Sequence, residues 1–93
     1  MSGLEQYYSG DNDWAALSKL YEKYQGLEDV VKLSNEFNGD LALSSVIYGK
    51  VGKYYYLKWI GRKIPALNDL SPLDCNDDLI LNIRLKEMLM RMP

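Results

Sequence analysis

Trp14, Leu17, Tyr21 and Tyr24 recur every three or four residues, the repeat of one face of an α-helix. Asp11, Asn12 and Asp13 stand ahead of them as candidate caps for the free N–H groups of a first turn. Gly26 is expected to end this helix by taking the left-handed conformation that glycine adopts cheaply. Leu27, Val30, Val31, Ser34 and Phe37 then share a face, which predicts a second helix from about Leu27 to Asn38, stopped by Gly39. A third is expected from Asp40, its cap, to Tyr48, with Leu41, Val46 and Ile47 among its apolar positions. Within it, Ser45-Val46-Ile47-Tyr48 also reads as a short strand, because β-branched residues suit a pleated surface.

Gly49 and Gly52 read as turns. From Tyr54 to Ile60 aromatic content favours a strand, while the spacing of Tyr55, Tyr56, Trp59 and Ile60 fits a helix closed by Gly61. The helix is the reading adopted. Pro65 pushes Ile64 out of the helical region, so Ile64–Leu67 is expected to be an extended linker. Ser71-Pro72-Leu73-Asp74 is the clearest local signal: a capping serine, a proline at the first helical position, and an acid where a capping box places one. A final helix is expected from Asp77 or Asp78 to Met92, with Ile80 or Leu81, Leu85, Met88, Leu89 and Met92 as its apolar side. The expected fold is all-α, a compact bundle of four to five short helices. It forms one domain over residues 1–93, with a frayed start over residues 1–12.

At 93 residues, 47% hydrophobic and 26% charged, the chain falls in the ordinary globular class. A domain this small buries only about 60–65% of its unfolded surface, so its margin is thin and a partner or second copy would add to it. The formal net charge of −2 supplies no global field for nucleic acid. Charge is segregated, however. Lys50, Lys53, Lys58, Arg62 and Lys63 form a stretch without acids, and Asp69, Asp74, Asp77 and Asp78 follow without bases. The single cysteine, Cys75, allows no internal disulfide, which fits a reducing cytosol. With no basic and apolar leader, and no apolar run near the ~18 residues of a membrane helix, the chain is expected to be cytoplasmic.

Histidine is absent, which removes the commonest general base and the commonest metal ligand. No catalytic, cofactor-binding or metal residues are assigned, and the chain is expected not to be an enzyme. Cys75 reads as a small buried residue; the alternative is a thiol made acidic by the start of the last helix. Asp74, Asn76, Asp77 and Asp78 lack the spacing of a calcium loop and read as caps. Eight tyrosines and two tryptophans are many for this length; such side chains dominate interface hot spots, or else fill a small core short of phenylalanine. Trp14 and Trp59 are expected in the core. Of Tyr54, Tyr55 and Tyr56 at least one ring must point outward, and Tyr54 is taken as a partner contact. Cations interleaved with aromatics at Lys50, Lys53, Lys58, Arg62 and Lys63 could grip nucleic acid, or could simply form a solvated face.

From Trp59 through Pro65, Leu67 and Ser71-Pro72-Leu73-Asp74 to Leu89, Arg91 and Met92, the last 40 or so residues resemble the toxin-binding domain of the Xre/MbcA/ParS-type antitoxins. That element spans residues 54–93. Where the family places a glycine early in the final helix, this chain has Leu81, and no helix-turn-helix is legible in its N-terminal half. The resemblance implies a type II antitoxin that neutralises a RES-type, NAD-consuming toxin by occluding its active site with the C-terminal region. It points to Arg84, Met88, Arg91, Met92 and Pro93 as partner-binding residues, and to the Trp59–Leu73 element beneath that helix, with Arg91, Met92 and Pro93 free to enter a cleft. Other readings are an anti-CRISPR-like phage inhibitor or an immunity protein covering a host-defence enzyme, and a DNA-binding regulator using the basic stretch. A homodimer is a further expected partnership; a membrane is not. Deleting Arg91–Pro93 is expected to weaken partner binding while leaving the far-UV circular dichroism nearly unchanged.

Overall fold

The computed structural model describes residues 10–92. Among them five α-helices form, with no strand: α1 (Asp11–Leu20), α2 (Glu28–Asn35), α3 (Leu41–Val51), α4 (Tyr56–Ile60) and α5 (Leu79–Arg91). Short 3-10 turns lie at Glu22–Tyr24, Pro65–Leu67 and Leu73–Cys75. The fold is a small all-α bundle, as the periodicity predicts. Most of the frayed start expected over residues 1–12 lies outside the described residues. Asn12 already sits in α1, and Gly10 occupies the cap position with φ 103°, so no side chain caps that helix.

α3 is the centre. Leu43, Ser44, Ser45, Val46, Ile47 and Tyr48 are consecutive and all buried, so every face of the helix is covered. α1, α2, α4, α5 and the Glu22–Tyr24 turn all pack against it. This settles the ambiguity at Ser45–Tyr48 in favour of helix. A run hydrophobic all round lacks the one-sided pattern that would separate helix from strand, and Asp40 decides by capping: its carboxylate accepts the Leu43 N–H at 3.0 Å. The two buried serines hydrogen-bond their own helix, Ser44 Oγ to the Asp40 carbonyl and Ser45 Oγ to the Ala42 carbonyl, both at 2.9 Å. Small residues there let neighbours approach closely without an unpaired hydroxyl.

Gly49, expected as a turn, lies inside α3 instead. The Tyr21 ring occupies the space a Cβ would need, and Tyr24 stands beside it. From this contact a ladder of tyrosines runs across the molecule. Tyr21 stacks on Tyr24 at 6.3 Å, Tyr24 meets Tyr48 at 5.3 Å, and Tyr48 meets Tyr56 at 5.3 Å. Such tilted pairs contribute about 0.5–1.5 kcal/mol each beyond area burial. Four of the eight tyrosines are thus internal structure, not interface.

Gly52, at φ 106°, ends α3, and Gly39, at φ 80°, closes α2 as expected. Gly26 differs: its φ is not positive, and the α-helical part of the first segment stops six residues earlier, at Leu20. α2 is shorter than expected. Val30, Leu33 and Phe37 are buried, while Leu27 and Val31, assigned to the same face, are exposed. Residues 64–70 are no open linker. Ile64 is extended, but Pro65–Leu67 turns as a 3-10 helix and the loop closes through an antiparallel bridge between Ile64 and Leu70. Asn68 and Asp69, both at positive φ, make that closure, a conformation their short polar side chains tolerate. The predicted capping box forms: Ser71 N–H and Oγ donate to Asp74 Oδ2 at 3.0 and 2.9 Å, and Asp74 N–H donates to Ser71 Oγ at 3.2 Å. It frames a 3-10 turn. Asp78 then caps α5, accepting from the N–H groups of Ile80 and Leu81.

Gly49→Ala drives a methyl into Tyr21, so it is expected to cost about 1–3 kcal/mol of stability in urea unfolding. Gly26→Ala, with open space and ordinary φ, is expected to be neutral or to stabilise by up to about 1 kcal/mol.

Candidate partner-binding site

The tyrosine ladder ends on Tyr56, buried at the start of α4. That anchor fixes the rotation of a helix too short to be stable alone. Tyr56 and Ile60 face inward, and Trp59 is left half-buried between core and surface. Around Trp59 two hollows meet. One, of about 380 Å³, is lined by Val51, Tyr55, Lys58, Trp59 and Arg62. The other, of about 400 Å³, is lined by Trp59, Arg62, Lys63, Ile64, Pro65, Met88 and Met92. They share Trp59 and Arg62, and so make one groove running from the end of α3, past α4, to the last turn of α5. Three of its lining residues are cations and none is acidic.

Two groups of residues that the sequence separates meet here. Lys58, Arg62 and Lys63, assigned as a nucleic-acid stretch, share the groove with Met88 and Met92, assigned as partner contacts. The other two members of the basic stretch do different work. Lys50 Nζ donates to the Met92 carbonyl at 2.6 Å, tying the end of α3 to the end of α5. Lys53 lies over the Tyr54 ring, 5.7 Å from its centroid. Tyr54 is 84% exposed, as expected of a contact residue, but does not line the groove. Trp59 was expected in the core and stands instead at the centre of the site. Its signal was legible in principle: a tryptophan followed within a few residues by Gly61, Arg62 and Lys63 sits where a helix ends and cations gather.

Arg84 must be withdrawn as a partner contact. It is 2% exposed, and every buried side-chain nitrogen and oxygen among the described residues has a hydrogen-bond partner. Glu87, one turn on, is buried too and accepts from Arg91 Nε at 2.6 Å. Arg91 and Met92 are therefore not free. Arg91 is held by that ion pair, while Met92 packs against the core with its carbonyl engaged by Lys50. Deleting Arg91–Pro93 would thus disturb the fold as well as any contact. Pro93 lies outside the described residues.

A third hollow, about 510 Å³, opens between α2 and α4 and is lined by Asp29, Lys32, Leu33, Glu36, Tyr56, Leu57, Ile60, Gly61 and Leu73. Its charges are mixed and three of its walls are core side chains. Trp14 is buried, with Lys86 Nζ over its ring at 5.4 Å. Cys75 is fully buried, and its thiol is pushed up to about 11, chiefly by burial and next by the Asp74 carboxylate. The acidic-thiol alternative is thereby overturned. The Ser71 backbone and hydroxyl bonds hold the Asp74 carboxyl below its ordinary value. Among the described residues no three His, Cys, Asp or Glu side chains come together to hold a metal ion, and no helix is long and apolar enough to cross a membrane.

Comparison with family models, curated proteins and solved structures finds no match to this chain.

Two measurements follow from burial. Arg84→Ala is expected to cost on the order of 3 kcal/mol in urea unfolding, because it removes one member of a buried polar set. Cys75 keeps its proton in the fold up to about pH 11, whereas the unfolded thiol ionises near 9.0. The native state binds the extra proton across that window, so stability is full below about pH 9 and falls as pH rises through about 11, by on the order of 2 kcal/mol. Urea midpoints measured across this range should show that slope, and Cys75→Ala should flatten it.

Proposed function

We propose that this chain is a non-catalytic inhibitor of the antitoxin type, one that silences a RES-type, NAD-consuming toxin by covering its active-site cleft. One observation carries the reading. Trp59, Pro65 and Met92, three of the positions on which the antitoxin resemblance rests, line a single hollow, together with Met88 from the same final helix. Other positions of the motif, Leu67, Ser71, Pro72 and Leu89, are buried and support that hollow from within the fold.

The physics suits occlusion. Trp59 offers a large, rigid apolar face, and buried aromatic anchors dominate the energetics of protein interfaces. Met88 and Met92 are flexible enough to mould to an irregular partner. Lys58, Arg62 and Lys63 ring the anchor and add charge that steers encounter. A reducing cytoplasm belongs to the same proposal, on the strength of the lone reduced Cys75.

Co-expression with RES-domain toxins, beginning with any encoded beside this gene, tests the reading through growth and cellular NAD. Restored growth and preserved NAD are expected, and Trp59→Ala combined with Arg62→Glu should abolish the rescue. Undiminished arrest with the chain in soluble excess would sink the antitoxin assignment and pass the groove to a different target protein.

A further inference from the structure

We infer that the groove around Trp59 receives an acidic peptide segment of a partner protein, one carrying an aromatic or leucine side chain between carboxylates. The inference rests on the protein-binding half of the proposed function and is independent of whether the partner is a toxin.

Charge complementarity is the first support. Lys58, Arg62 and Lys63 stand around the groove, and its lining holds no carboxylate, although the chain as a whole is acidic. A local cationic site on an acidic protein repels nothing from an acidic ligand at short range, and it excludes basic segments. Arg62, shared by both hollows, can pair a carboxylate through two parallel N–H groups.

The apolar lining is the second support and separates protein from nucleic acid. Between the cations lie Val51, Tyr55, Ile64, Pro65, Met88 and Met92, with Trp59 at the junction, so two aromatic rings stand among five aliphatic or thioether side chains. Single-strand binders instead follow a basic track with successive aromatic platforms, one base to each. Here the basic stretch does not run as a track. Lys50 turns away to the Met92 carbonyl and Lys53 to the Tyr54 ring, leaving three cations grouped about one hydrophobic socket. The two hollows that share Trp59 and Arg62, of about 380 and 400 Å³, suit one or two apolar side chains flanked by acids.

A random twelve-residue peptide library displayed on phage, panned on the immobilised whole chain, tests this. Enriched peptides are expected to carry net negative charge around an aromatic residue or leucine. Their synthetic forms should lose at least tenfold in affinity to the Arg62→Glu, Lys63→Glu double variant. Both residues are exposed, so circular dichroism should confirm an unchanged fold. In nitrogen-15 NMR spectra the Trp59 indole resonance should move on peptide addition while that of buried Trp14 stays in place. The inference is overturned by failure to enrich, by enrichment of neutral or basic peptides, by binding that survives charge reversal, or by an unmoved Trp59 indole. It is also overturned if a twelve-nucleotide oligothymidine competes more strongly than the peptides, which would return the groove to nucleic acid. Toxin rescue without acidic-peptide binding would spare the proposed function and remove only this inference.

Discussion

Everything in this molecule is arranged around a helix that must be covered on all sides. α3 presents apolar or small residues in every direction, so no solvent face remains for it, and the rest of the chain serves as its coat. The tightest point of that coat is Gly49, where Tyr21 takes the room of a side chain. Interiors are packed to crystalline density, so a contact of this kind fixes its neighbours as well. Tyr21 places Tyr24, Tyr24 meets Tyr48 on α3, and Tyr48 meets Tyr56 on α4. Because Tyr56 is locked, Trp59 one turn later can only lie at the boundary between core and solvent. The groove is in this sense a consequence of the core.

Local chemistry was legible in the sequence, and long-range consequences were not. Asp40, the Ser71–Asp74 pair and Asp78 cap as their sequence context predicts, because capping needs only residues within one turn. The fold class follows from the repeats at three and four. Gly49 shows why glycine is ambiguous: it marks either positive φ or close approach, and a sequence does not distinguish them, while Gly26 has ordinary φ and open space around it. Gly49 is there for close approach, which depends on Tyr21 some twenty-eight positions earlier. Ser45–Tyr48 stayed ambiguous because a fully buried helix carries no amphipathic signature.

The site was half legible. Its cations and its methionines were each picked out, but as parts of two different hypotheses, since they lie some twenty-five positions apart and meet only when α5 folds back on the 64–70 loop. Arg84 and Glu87 were beyond reach. A charged residue in an amphipathic helix is read as surface, yet both are buried with their polar atoms satisfied. Buried charged groups of this kind specify how a helix sits against its neighbours at little net gain in stability. Tyrosine content left interface and core-filling both open, and Tyr21, Tyr24, Tyr48 and Tyr56 take the second role in a core with a single phenylalanine.

The groove also lies where binding and stability are bound to influence each other. Its two walls come from α4, a helix of five residues, and from the last turn of α5, and a Lys50 bond to the Met92 carbonyl spans the gap behind them. Short helices belong to the low-stability end of a fold's opening free energies. An occupant that touches Trp59 and Met92 together would bridge both walls and bind only the folded chain. At a hundred times its Kd such a ligand adds about 2.7 kcal/mol. Against a total of ~5–10 kcal/mol for a domain of this size, that is a large fraction. A ligand bridging these walls would therefore act on the stability of the fold as well as on its surface.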